Sequence, residues 1–176
     1  IMGLGDLLYD LEIPYNSEEG RKFMEKLMEF VNYYSKVASI ERAKTRSSFS
    51  YFDKSFYPEG GLPFTGANGY GNGHFDWDEI RRDIRKFGIR NSYTTVVAPT
   101  GSISMIAGCS SGIEPVYSLV FEKNVKVGNF YYVDSAFERV MLAEGLYDSD
   151  LIRDVMEHDG SVQKIPYISA HLKRIF

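Results

Sequence analysis

Residues 93–98 read Tyr-Thr-Thr-Val-Val-Ala, uncharged and rich in β-branched side chains, and they run straight into Pro99-Thr100-Gly101. Such a run predicts a buried strand that ends abruptly in a turn, and the rest of the chain has to be arranged around it. A second strand is predicted over residues 116–121, with residues 130–133 also extended.

The remaining pattern is helical. Leu4, Leu7, Leu8 and Leu11 have helical spacing and stop before Ile13-Pro14, where a helix should end. Asn16 with Glu19 reads as a capping box opening a long helix, whose apolar stripe is Phe23, Leu27, Val31, Tyr34 and Ala38, with Met24 and Met28 alongside. Asp76 and Glu79 form a second box, followed by Trp77, Ile80, Ile84 and Phe87 on one face and by Gly88 at the stop. Further helices are predicted over 134–144 and 148–158, and from Ser169 onward. Helices and strands alternate, so the class is α/β, incomplete as a closed unit. The apolar sequence at both ends, Ile1-Met2-Gly3-Leu4 and Leu172-Lys173-Arg174-Ile175-Phe176, reads as cut rather than as a domain boundary. Residues 60–73 hold six glycines and a proline and predict a mobile surface loop.

Composition narrows the function classes. A net charge of −4 and a pI near 5.4 argue against gripping a nucleic-acid backbone. The basic run Arg81, Arg82, Arg85, Lys86 and Arg90 is interleaved with Asp78, Glu79 and Asp83 and reads as a solvated helix face. The 13 Tyr, 12 Phe and single Trp are read as packing rather than a base-stacking surface, which would need interleaved basic residues. No apolar run is long enough to span a bilayer and no signal peptide is visible, so a cytoplasmic location is expected. The single cysteine, Cys109, excludes an internal disulfide and a CxxC metal knuckle. No metal site is expected.

The chemistry-bearing stretch follows the predicted strand. Pro99, Thr100, Gly101, Ser102, Ile103 and Ser104 make a turn rich in small and hydroxyl residues. If a short helix starts at Ser102, its free N–H groups, with hydroxyls from Thr100, Ser102 and Ser104, can hold an anion without a lysine, and Gly101 permits close approach. The residues alone leave a second reading open, a polar strand-to-helix turn capped by Ser102. Gly108-Cys109-Ser110-Ser111-Gly112 also matches the G-x-S-x-G elbow of serine hydrolases. That elbow should follow a strand and open a helix, whereas Met105-Ile106-Ala107 is a poor strand and Pro115 cuts off a following helix; His158 and His171, the available bases, sit in surface-like helices. The hydrolase reading through Ser110 is therefore set aside, and Cys109, with no activating base beside it, reads as a structural thiol.

The run Ala98-Pro99-Thr100-Gly101-Ser102-Ile103-Ser104, with Gly108-Cys109-Ser110-Ser111-Gly112-Ile113-Glu114-Pro115, resembles the phosphate-loop region of ribonucleotide reductases. It is most similar to the adenosylcobalamin-dependent (class II) members, whose loop reads Pro-Thr-Gly and then Ser or Thr; iron-dependent members usually carry Ala where Gly101 stands. Met2-Gly3-Leu4-Gly5-Asp6-Leu7-Leu8-Tyr9, Ile13-Pro14-Tyr15 and Ser17-Glu18-Glu19 resemble the segment after that family's active-site cysteine, and residues 130–147 resemble its downstream helix region. Phe121-Glu122-Lys123 stands where the family often has Tyr-x-Arg.

The resemblance covers nearly the whole chain and implies part of a ten-stranded α/β barrel, spanning residues 1–176. It implies replacement of a ribonucleotide 2′-hydroxyl by hydrogen through a cysteine thiyl radical generated from adenosylcobalamin. It places the substrate phosphates on Pro99, Thr100, Gly101, Ser102, Ile103 and Ser104, and the thiyl cysteine, its Asn and Glu neighbours and the reducing cysteine pair before Ile1, leaving no catalytic residue in this chain. A dithiol reductant such as thioredoxin or glutaredoxin is the implied partner, and a homodimer is left open. The alternative is a stand-alone phosphate- or nucleotide-binding module without catalysis.

Overall fold

A computed structural model of the chain describes residues 1–63, 74–125 and 128–176. Among these residues the α-helices are α1 (Leu4–Asp10), α2 (Glu18–Arg46), α3 (Trp77–Phe87), α4 (Gly101–Ala107), α5 (Ser135–Ala143), α6 (Ser149–Glu157) and α7 (Ala170–Ile175). One hairpin is formed, β1 (Val120–Val125) antiparallel to β2 (Gly128–Val133), with Val120 opposite Val133. The chain divides into two compact units, Ile1–Lys22 with Val97–Phe176, and Phe23–Val96.

The first unit is built on helices whose starts are fixed locally. Asp134 accepts from the Phe137 N–H at 2.8 Å, Asp148 from the Leu151 N–H at 2.8 Å, and Ser169 from the Leu172 N–H at 3.2 Å. Each cap satisfies an amide that the helix cannot, worth about 1 kcal/mol. The apolar faces so aligned bury Phe137, Met141, Leu151, Val155, Val162 and Ile165 completely, and Tyr9, Leu119 and Leu172 join that core.

The second unit packs α2 and α3 around Ile40, Tyr57, Trp77, Ile80, Ile84 and Ile89. Asp76 caps α3 by accepting from the Glu79 N–H, and Gly88 ends it, as the sequence predicts. Rings pack on rings here: Tyr33 stacks on Phe75 at 4.7 Å and meets Trp77 edge-on at 5.3 Å, in line with aromatics serving packing.

Three local expectations are corrected. Ser17, not Asn16, caps α2: its Oγ accepts the Gly20 N–H at 2.9 Å and donates to the Pro14 carbonyl at 2.6 Å. The face α2 buries is polar, carrying Glu29, Asn32, Lys36 and Ser39 beside Ile40 and Ala43, while Tyr34 and Ala38 of the expected stripe are exposed. The reason is an extended segment laid along that face. Ser39 Oγ takes the Asn91 N–H at 2.9 Å, Asn32 takes the Thr95 hydroxyl at 3.0 Å, Lys36 Nζ donates to Thr94 Oγ1 at 2.6 Å, and Trp77 Nε1 donates to Glu29 at 3.0 Å. Polar groups are buried where partners meet them.

The third correction concerns strands. Residues 93–98 join no strand among the described residues; Val96 is 68% and Val97 56% exposed. A β-branched run becomes a strand only where another strand satisfies its backbone; here it is the Thr94 and Thr95 hydroxyls that are engaged, by α2. Of residues 116–121 only Val120 and Phe121 enter β1, because β2 ends at Val133, opposite Val120, and leaves nothing for 116–119 to pair with. The described residues therefore hold helices and a two-stranded antiparallel sheet rather than a run of alternating helices and strands. In the Gly-rich segment, Gly60 and Gly61 donate to the Tyr57 and Phe56 carbonyls and Leu62 packs on the second core, so its first residues are tied down. The mobility predicted for the segment otherwise falls on residues 64–73, outside the described residues.

Candidate functional site

Thr100 is the hinge of the candidate loop. It adopts the left-handed conformation, φ 51° and ψ 25°, and α4 starts at the next residue. Left-handed backbone is costly for a β-branched residue, and a specific bond offsets that cost: Thr100 Oγ1 accepts the Gly112 N–H at 2.7 Å. Gly112 is itself required. It has φ +54°, and a Cβ there would stand 2.9 Å from the Ala98 carbonyl.

The first turn of α4 faces outward. Gly101, Ser102 and Ile103 are exposed, and their N–H groups have no carbonyl one turn earlier to bond. A Cβ placed on Gly101 would meet nothing within 4 Å, so the space beside its Cα is open. Pro99, also exposed, leads into the turn. The helix begins at Gly101 with Thr100 as its cap residue, so the expected start at Ser102, and with it the Ser102 cap, is corrected.

Ser104 is corrected as a ligand. It is 2% exposed, and its hydroxyl points inward, 2.8 Å from Ser111 Oγ and 3.3 Å from the Gly101 carbonyl. Its N–H closes the first turn onto the Thr100 carbonyl. Inside a helix, a serine hydroxyl bonds back to the preceding turn, and spacing alone does not reveal that. The outward donors are thus the amides of 101–103 with the Ser102 hydroxyl, and Ser104 holds the loop from behind.

The far end of α4 is closed by a Schellman arrangement: the Cys109 N–H reaches the Ser104 carbonyl at 3.0 Å and the Gly108 N–H reaches Met105 at 3.4 Å. The Gly-x-Ser-x-Gly match therefore follows a helix, not a strand. Ser110 is 3% exposed, and its three polar atoms are all held by residues 3–6. His158 is engaged by the Asp154 carbonyl and His171 by Glu12, so neither serves Ser110 as a base. Burial, followed by the nearby Asp6 charge, pushes the Cys109 thiol up from its usual value, away from a reactive thiolate.

Sequence reasoning missed Asp6. Its signal was a carboxylate flanked by Gly3 and Gly5 in a leucine-rich helix, where small residues allow another segment close. A Cβ on Gly5 would lie 2.7 Å from the Glu114 carbonyl. Elsewhere on this unit an open cleft of about 690 Å³ is lined by Ser17, Gln163, Lys173 and Arg174 among others, and none of residues 99–104 lines it. Among the described residues no group of three or more His, Cys, Asp or Glu is arranged to hold a metal, and no helix is long and apolar enough to cross a membrane.

Comparison with known proteins places this geometry in context. The family model described as "Ribonucleotide reductase, barrel domain" matches residues 1–176. The chain is 33% identical over 188 residues to the ribonucleoside-diphosphate reductase subunit alpha of Chlamydia pneumoniae, covering 100% of the chain and 18% of that protein. It is 31% identical over 176 residues to the ribonucleoside-diphosphate reductase large chain 2 of Saccharomyces cerevisiae, covering 100% and 20%. It is 37% identical over 177 residues to the vitamin B12-dependent ribonucleoside-diphosphate reductase of Thermoplasma acidophilum, covering 100% and 20%. The chain thus spans about a fifth of the length of these relatives.

Proposed function

The chain belongs to the ribonucleotide reductase barrel-domain family, and from that premise we propose that it is the substrate-phosphate-binding portion of a ribonucleoside-diphosphate reductase. In that reading residues 1–176 form part of a ten-stranded α/β barrel. The whole enzyme, cytoplasmic, replaces a ribonucleotide 2′-hydroxyl by hydrogen through thiyl-radical chemistry and is re-reduced by a dithiol protein such as thioredoxin or glutaredoxin.

One observation carries the reading: in a chain matched end to end by the family, residues 101–103 open an exposed first helical turn after a left-handed Thr100, with open space beside Gly101. Their role is to bind and orient. Backbone donors and the positive end of a helix favour phosphate oxygens without a lysine, and Pro99 and Thr100 fix where the amides point. Ser104 contributes its closure of the first turn rather than its hydroxyl.

Adenosylcobalamin would supply the initiating radical. The cobalamin-dependent relative at 37% identity and the Pro-Thr-Gly-Ser loop support that cofactor over the iron-dependent alternative. His158 is engaged by the Asp154 carbonyl and His171 by Glu12, and no residue of this chain is assigned to the cofactor. The reading is tested by measuring the affinity of the complete reductase for a ribonucleoside, its monophosphate and its diphosphate. Affinity should climb by about tenfold or more with the phosphates, as charge-assisted bonds contribute; equal affinity for all three would refute the loop's role.

A further inference from the structure

We infer that Asp6 is a positioning residue for the phosphate loop, acting through Ser110; this rests on the reading of residues 99–104 given above. Asp6 is 8% exposed and lies in α1, far in sequence from the loop. Its Oδ2 accepts the Ser110 N–H at 2.8 Å, its own N–H donates to Ser110 Oγ at 3.3 Å, and the Gly3 N–H donates to the Ser110 carbonyl at 2.9 Å. Every polar group of Ser110 is thereby fixed by the start of α1.

From Ser110 the constraint passes to the loop in two short steps. Ser111, the next residue, places its Oγ 2.8 Å from Ser104 Oγ, behind the first turn of α4. Gly112 donates to Thr100 Oγ1 at 2.7 Å, holding the left-handed residue from which the outward amides follow. The Asp6 carboxyl heads this chain of bonds and gives the buried Ser110 N–H its acceptor. The close approach is built into the sequence, since a side chain on Gly5 would strike the Glu114 carbonyl and one on Gly3 would crowd Cys109. Asp6 Oδ1 is buried with no hydrogen-bond partner among the described residues, at a desolvation cost that an apolar side chain in its place would avoid.

The test is steady-state kinetics of the complete reductase with a ribonucleoside diphosphate, comparing Asp6→Leu, Asp6→Asn and, as a control, Leu8→Ala. Leu8 is fully buried on the same helix but bonds nothing in the loop. Asp6→Leu should raise KM by about tenfold through a displaced loop, with kcat changed by less than about threefold. Asp6→Asn, which keeps an acceptor for the Ser110 N–H, should restore KM to within about threefold of the parent. Leu8→Ala should lower the melting temperature without raising KM. If Asp6→Leu does not fold, Ser111→Ala cuts the next link and should raise KM by about threefold at unchanged kcat. A folded Asp6→Leu with parental KM, or a Leu8→Ala variant whose KM rises equally, would overturn the assignment. Gly101→Val separates the two levels: if it raises KM while folded Asp6→Leu does not, Asp6 alone is misassigned, and if it leaves KM unchanged, the loop reading and this inference fall together.

Discussion

The Thr100 hydroxyl accepts the Gly112 N–H at 2.7 Å across twelve residues, while Thr100 itself sits at φ 51°. A costly backbone conformation and a stabilising side-chain bond thus meet in one residue, and substitutions can separate them.

Thr100→Ala removes the bond and keeps the left-handed penalty, whereas Thr100→Gly removes both. The glycine variant should therefore be the more stable of the two by about 1 kcal/mol, measured by urea denaturation. The opposite order would mean that the left-handed conformation is not maintained in solution.

Lys36 gives a pH-dependent expectation. Burial lowers its ammonium from the usual 10.5 to about 8. Between those values the unfolded chain holds a proton that the folded chain has released, so stability rises with pH across that window, and the penalty is fully present below about 8. Lys36→Met should raise stability at pH 7 by on the order of 1–3 kcal/mol and flatten the rise towards pH 9.5. Thr94 keeps Ser35 as a partner at 2.7 Å. Parallel pH curves for parent and variant would contradict this.

How much of this was legible beforehand depends on how local the determinants are. The starts of α3, α5, α6 and α7 could be read because Asp76, Asp134, Asp148 and Ser169 each cap their own helix. The position of α4 was nearly right, since Pro99-Thr100-Gly101 is a turn in any context. The buried polar face of α2 was not legible: Asn32, Lys36 and Ser39 are buried only because residues 91–95 return to bond them. The strand expected at 93–98 failed for the same reason, because strands depend on distant partners. Asp6 and Ser104 were missed or misassigned because their partners, Ser110 and Ser111, are chosen by tertiary packing.

The isolated 176-residue chain, given adenosylcobalamin, a dithiol and a ribonucleoside diphosphate, should form no deoxynucleotide. Its one cysteine, Cys109, cannot be both radical carrier and redox pair. Product detected by chromatography above the no-enzyme blank would show that the radical cysteine has been misplaced.

The loop's role is tested most directly by the substrate affinity of Gly101→Val and Cys109→Ala in the complete reductase, with melting temperatures checked first. A Cβ on Gly101 meets no part of the chain, so the valine variant should fold normally while crowding the amides proposed to hold phosphate. Displacing two charge-assisted bonds of about 1.5–3 kcal/mol each should raise the dissociation constant by about a hundredfold or more. Cys109→Ala should bind within about threefold of the parent, since it loses only a small, weakly polar group. A Gly101→Val enzyme that binds as before, beside a well-folded Cys109→Ala enzyme that loses activity, would reverse the roles given to these residues.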